Sequence, residues 1–157
     1  MDILKTLAAH NQWANDRIFV ACSGISPAKL SDESYGYDSV IGILNHMIQV
    51  ENSFFELAHA RQPAWTYLED LNDLRAQSSR IDRAYLEYAG GMEPGDADAR
   101  SFLVPWFGFE ITLSEGVLQP LTHSHKHRSD VSMLLPLLGG AGIDYDLIQW
   151  IAEQREK

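Results

Sequence analysis

Three of the chain's six histidines crowd into one short run, Thr122-His123-Ser124-His125-Lys126-His127-Arg128. On a strand all three would share a face. Apolar residues at helical spacing on both sides argue for a helix instead, where His123 and His127 lie about 40° apart and His125 points roughly opposite. Two imidazoles one turn apart can hold a single metal ion without straining either side chain. Pro120, Val131 and Leu134 fall on the same side of that helix, so the pair borders the core. A metal held by two histidines alone is weakly bound, and a third ligand is expected from another helix. His46, on the shoulder of an apolar segment beside Ile43 and Val50, is the best placed. Each histidine taken alone also has a plainer reading, as a hydrogen-bonded residue of the core or its rim. His10, His59 and His125 are read as surface or packing residues, with His125, beside Lys126, facing solvent.

Two charged residues stand at positions that should face the core, Glu51 and Arg128. A buried charge is costly unless it is paired. They therefore either pair with each other and fix the register of two helices, or serve the histidine site. In the second case Glu51 is the candidate catalytic residue, as general base or as support for a ligand. Asn11 and Asn15 share the first helix's inner face and are read as interhelical hydrogen-bonding groups.

Composition narrows the chemistry. Cys22 is the only cysteine, which excludes an internal disulfide and any site built on several thiolates of this chain, so a metal must rest on histidine or carboxylate. With no histidine near it in sequence, Cys22 is read as a packing residue. The Glu-x-x-His pairs of di-iron bundles are absent, as are His-Glu-x-x-His, a Walker A loop, Gly-x-Gly-x-x-Gly and Gly-x-Ser-x-Gly. Twelve Lys and Arg against 22 Asp and Glu give a net charge of −10, and no three Lys or Arg residues are consecutive. That balance argues against nucleic acid and against anionic membrane surfaces as partners. The start, Met-Asp-Ile-Leu-Lys, lacks the apolar run of a secretory signal, and the apolar stretch near Val131 to Leu138 is broken by Pro136. A cytoplasmic protein is the expectation.

Positioning such a site falls to four long amphipathic segments. Leu4, Leu7, Asn11, Ala14, Ile18 and Ala21 recur at steps of three and four, as do Val40, Leu44, Met47, Glu51, Phe54 and Ala58. Asp38 or Ser39 can cap the second. The third runs through Leu71, Leu74, Ser78, Ile81, Tyr85 and Tyr88 to Gly90-Gly91, with Thr66-x-x-Glu69 as a capping box just before it. The polar stretch from Glu93 to Arg100 reads as a loop, and Ser101 to Thr112 as two short strands or an ordered loop. Thr112-x-x-Glu115 is a second capping box, opening a helix through Val117, Leu121, Ser124, Arg128, Val131, Leu135 and Leu138. Pro120 and Pro136 should disturb it locally, and Gly139-Gly140 should end it. Asp144 can cap a short last helix carrying Leu147, Ile148 and Ile151. The fold class is all-α: one domain over 1–157, a four-helix bundle with a loop-rich crossover before the fourth helix and a short C-terminal helix.

Several of these motifs resemble those of the DinB/YfiT-like family. Asn11-Gln12-Trp13-Ala14-Asn15-Asp16-Arg17 is similar to the family's Asn-x-Trp-Ala-Asn-x-Arg opening. Leu44-Asn45-His46-Met47 resembles its second-helix histidine motif, His123-x-x-x-His127-Arg128 its fourth-helix pair, and Ile143 to Trp150 its closing segment. The resemblance implies one divalent metal held by His46, His123 and His127, nickel or zinc before iron, manganese or cobalt. It further implies a homodimer and a metal-dependent enzyme acting on a small molecule. The reaction class would be a hydrolase, or a transferase or isomerase using a low-molecular-weight thiol. The alternative is a non-catalytic stress-response bundle that binds metal or ligand. Three positions depart from the family pattern: His10, often Tyr, and Ser129 and Asp130, often Gly and Gln. None removes a ligand.

Overall fold

The computed structural model of the chain describes residues 3–35, 38–93 and 95–156. The Met1-Asp2 start and Pro94 of the polar stretch, both used in reading the sequence, lie outside them. The first long helix, α1, spans Ile3–Cys22, and a single turn, α2, follows at Pro27–Leu30. Helix α3 spans Val40–Ala58, with Ser39 as N-cap accepting a bond from the Gly42 amide. Helix α4 covers Leu71–Gly90, the short α5 covers Asp96–Ala99, and strands β1 and β2 cover Ser101–Val104 and Phe109–Thr112. The longest helix, α6, runs over Leu113–Leu137, and α7 over Leu147–Arg155.

Helix α1 packs on α4 and α6, and α3 packs on the same two, so the four long helices close into a ring with α1 and α3 diagonal. Ile18, Phe19, Leu44, Met47, Ile48, Leu74, Val131 and Leu135 fill the space between them. The thiol of Cys22 is buried in this core, and burial pushes its pKa up to about 12, which leaves it inert near neutral pH. None of the described helices is long and apolar enough to cross a membrane.

The crossover is a hairpin, with Ser101 opposite Thr112 and Val104 opposite Phe109. Its turn closes at Gly108, whose φ of 73° favours glycine and whose amide donates to the Val104 carbonyl at 2.9 Å. Phe102 seats the hairpin on α6 against Gly116, where a Cβ would come within 2.5 Å of its ring. Both halves of the Thr112/Glu115 capping box form. The helix behind them continues through Pro120, and Gly139 at φ 91° ends it as the Gly140 amide reaches back to the Leu135 carbonyl at 2.8 Å.

Three details differ from the sequence reading. Helix α4 starts at an Asp70 cap, whose carboxylate accepts from the amides of Asn72 and Asp73, and not from a Thr66/Glu69 box. Helix α7 has Asp146 at its N-cap position, with no side-chain cap bond, while the Asp144 carboxylate accepts from the Asp146 amide to form the turn before it. The Glu93–Arg100 stretch contains the α5 turn, and Ala97 plugs into the core from it.

Candidate metal centre

Helices α3 and α6 lie side by side, and that contact brings the predicted residues together. His46, His123 and His127 each present a ring nitrogen, all within 4.8 Å of one another. The His123 Nε2 stands 3.2 Å from Nε2 of His46 and 3.2 Å from Nε2 of His127. Nitrogens at the corners of a tetrahedron about 2.0–2.1 Å from a central ion are separated by roughly 3.3 Å, so these two spacings match those between ligands of one ion, and the group could hold one. His127 is buried, His123 half-buried and His46 exposed, which grades the cluster from core to surface.

The protonation of the cluster also suits a cation. Burial, reinforced by the neighbouring His127, His46 and Lys126, lowers the His123 pKa to about 4. His46 is lowered too, first by burial and then by His127. Both rings are therefore neutral near pH 7, the state in which imidazole ligates. On the far side of His127, Nδ1 lies 3.0 Å from the Asp130 carboxylate. A carboxylate there fixes the ring orientation and favours the tautomer that leaves Nε2 bare toward the cluster. Asp130 escaped the sequence reading, although it lies three residues beyond His127 on the same helical face.

The remaining histidines are held elsewhere. His10 Nε2 meets the Tyr145 carbonyl at 2.7 Å, His59 Nδ1 meets the Phe55 carbonyl at 2.7 Å, and the exposed His125 packs on the Tyr145 ring. Among the aromatic residues, Trp106 lines a cavity of about 460 Å³ together with His46 and His123. Gln49, Ser53, Phe54, Phe107 and Gln119 complete much of that wall. Phe109 lines the adjoining cavity, and Trp65 a separate one.

Glu51 and Arg128 belong to a polar network inside the bundle. Glu51 Oε1 accepts from Asn11 Nδ2 at 3.0 Å and from Ser124 Oγ at 2.5 Å. Arg128 Nη1 donates to the side-chain oxygens of Asn11 and Asn15 at 2.7 and 2.6 Å. The nitrogens of both asparagines donate to Asp82, a second carboxylate on α4, at 3.0 Å. The two asparagines thus stand between the guanidinium and the acids, and among the described residues no ion pair joins Arg128 to Glu51 within 4.0 Å. Burial raises the pKa of Glu51 against the pull of Ser124 and Asn11. Burial and the nearby Glu51 raise that of Asp82. Ser124 sits between His123 and His127 in the chain, so the Glu51–Ser124 bond clamps α3 to α6 beside the cluster. Sequence spacing located Glu51 and Arg128 but gave no sign of Asp82.

Facing helices of a four-helix bundle that converge three imidazoles beside an open cavity define a bundle protein with a group able to hold a metal ion. The family model for the DinB family matches residues 1–156, and the chain belongs to that family. None of the curated proteins matches it.

Proposed function

We propose that this DinB-family protein is a metal-dependent enzyme acting on a small molecule, with His46, His123 and His127 as the ligands of one divalent ion. Zinc or nickel suits three neutral imidazoles best, ahead of iron, manganese or cobalt. The observation that carries the proposal is the position of the cluster: its His46 and His123 edge opens on a cavity of about 460 Å³, and among the described residues no fourth His, Cys, Asp or Glu joins the three. Structural zinc sites are four-coordinate and sealed, whereas catalytic ones keep a position free.

When bound, the ion supplies a Lewis acid able to polarise a carbonyl or to activate water or a thiolate. Hydrolysis and transfer from a low-molecular-weight thiol are both within that chemistry. The chain's own residues orient and enclose. Asp130 holds His127, and Gln49, Ser53 and Gln119 offer hydrogen bonds to a substrate's polar atoms. Trp106 and Phe107 shield one wall from water. Glu51 acts through Ser124 as a positioning residue, because its Oε1 is already occupied by two donors inside the bundle. A homodimer in the cytoplasm, with neither nucleic acid nor membrane as partner, agrees with the family and with the charge of −10.

Cobalt substitution tests the open position. The visible spectrum of the Co(II) protein should change on adding thiocyanate or 2-mercaptoethanol, the latter through a new sulfur-to-metal charge-transfer band. A spectrum indifferent to both would mean a closed site and would remove the basis for catalysis. A positive result warrants a screen of hydrolase and thiol-conjugation substrates.

A further inference from the structure

The cavity beside His46 and His123 does not end at the cluster. It shares Phe54, Phe107 and Gln119 with a second cavity of about 450 Å³ that runs between the hairpin and the first turns of α6. The lining changes along this path. Near the histidines it includes the polar Gln49 and Ser53, while beyond Phe107 it turns to Val104, Ile111 and Leu118. Among the described residues lining the second cavity, the one charged side chain is Glu115, and its carboxylate is engaged by the Thr112 amide at 2.8 Å. Leu118 and Phe109 are 42% and 55% exposed, so a ligand laid there would cover apolar carbon that now faces water.

We propose that the two cavities form one binding groove for a small molecule with an anionic, metal-binding head and an uncharged apolar tail. The head sits at the three histidines, and the tail lies under the hairpin on Val104, Ile111 and Leu118. This assignment of substrate class rests on the metal-site reading above. Imidazole ligands, unlike thiolates or carboxylates, add no negative charge and leave a divalent ion its full charge, which favours an anionic head. Glu115 and the chain's net charge of −10 disfavour a second anion at the tail end. Each cavity is of the size that small-molecule sites have, roughly 300–1,000 Å³.

Two hydroxamates that share a head test the tail. Against zinc-loaded protein, 4-phenylbutyrohydroxamate should bind about 30-fold or more tighter than acetohydroxamate, the gain expected from burying its extra carbon. Leu118→Glu should bring the two affinities within about threefold while acetohydroxamate binding and zinc content stay as in the wild type. Leu118 is 42% exposed, so the charge should be tolerated by the fold. In parallel, 4-phenylbutan-1-ol, which lacks the head, should shift the methyl NMR signals of Val104, Ile111 and Leu118 in metal-free protein. Equal affinities for the two hydroxamates in the wild type would overturn the groove, as would a ratio unchanged in Leu118→Glu. So would a Leu118→Glu variant that changes oligomeric state while the hydroxamates bind alike, because a second copy of the chain would then cover this face. Absence of zinc uptake with the methyl shifts intact would instead overturn the metal reading on which the head depends.

Discussion

The ligating capacity of the cluster depends on how each imidazole is held. The His-x-x-x-His spacing of His123 and His127 and the shoulder position of His46 were enough to single out the three rings from sequence. Asp130 was not legible in that way, because an acidic residue after a histidine has many roles and only the packed rotamer shows its carboxylate 3.0 Å from Nδ1. Removing that partner in Asp130→Ala should weaken zinc binding about 10- to 100-fold while leaving stoichiometry at one, measured by competition with a chelator. An unchanged affinity would deny Asp130 a positioning role. His123 offers a second test. Burial and its neighbours hold its pKa near 4, so NMR titration of metal-free protein should find it neutral at pH 5.5. The unfolded chain takes up that proton near the ordinary value of 6.5. The metal-free fold should therefore lose stability from this group as pH falls from about 6.5 toward 4. A midpoint close to 6.5 in the folded protein would contradict the enclosure described for this ring.

The elements carry the site through one clamp. Long-period signals made the four helices readable: recurring Leu, Ile and Val at steps of three and four, the Thr112/Glu115 box, and Gly139. Local capping was less readable. Thr66-x-x-Glu69 has the right composition, yet Asp70 satisfies the first amides of α4, because nearby side chains compete for the same donors and tertiary packing decides, and α7 starts two residues beyond Asp144 with Asp146 at its N-cap position making no side-chain bond. The crossover was legible as two short strands, but the anchoring of Phe102 against Gly116 is a long-range contact that no local pattern encodes. Between α3 and α6 the Ser124–Glu51 hydrogen bond at 2.5 Å joins the helices that present the histidines. Ser124→Ala leaves a buried acid short of a donor and should cost about 1.5–3 kcal/mol in denaturant unfolding. A loss below about 0.5 kcal/mol would show that the clamp does not contribute.

Across the whole molecule, the interior of the bundle holds two acids, one guanidinium and two asparagines between them. Sequence reading offered a choice between an ion pair and a service to the site. It could not resolve the choice, because Asp82 reaches the network from α4, a helix whose pattern marked Ser78 and Ile81 but not the acid beside them. Arg128 is a buried cation that balances Glu51 and Asp82, so Arg128→Met should destabilise the fold by about 3–5 kcal/mol. A near-neutral result would show that both acids are already protonated and need no counter-charge. Around that interior, the shared edge of α3 and α6 is where the three histidines converge. Titration of zinc into metal-stripped protein, with elemental analysis, tests most directly whether the three histidines hold one divalent ion. The wild type and His125→Ala should each take up one equivalent per chain, while His46→Ala, His123→Ala and His127→Ala should not retain it. Failure of the wild type to bind, or loss of the ion in His125→Ala with retention in His123→Ala, would contradict the account.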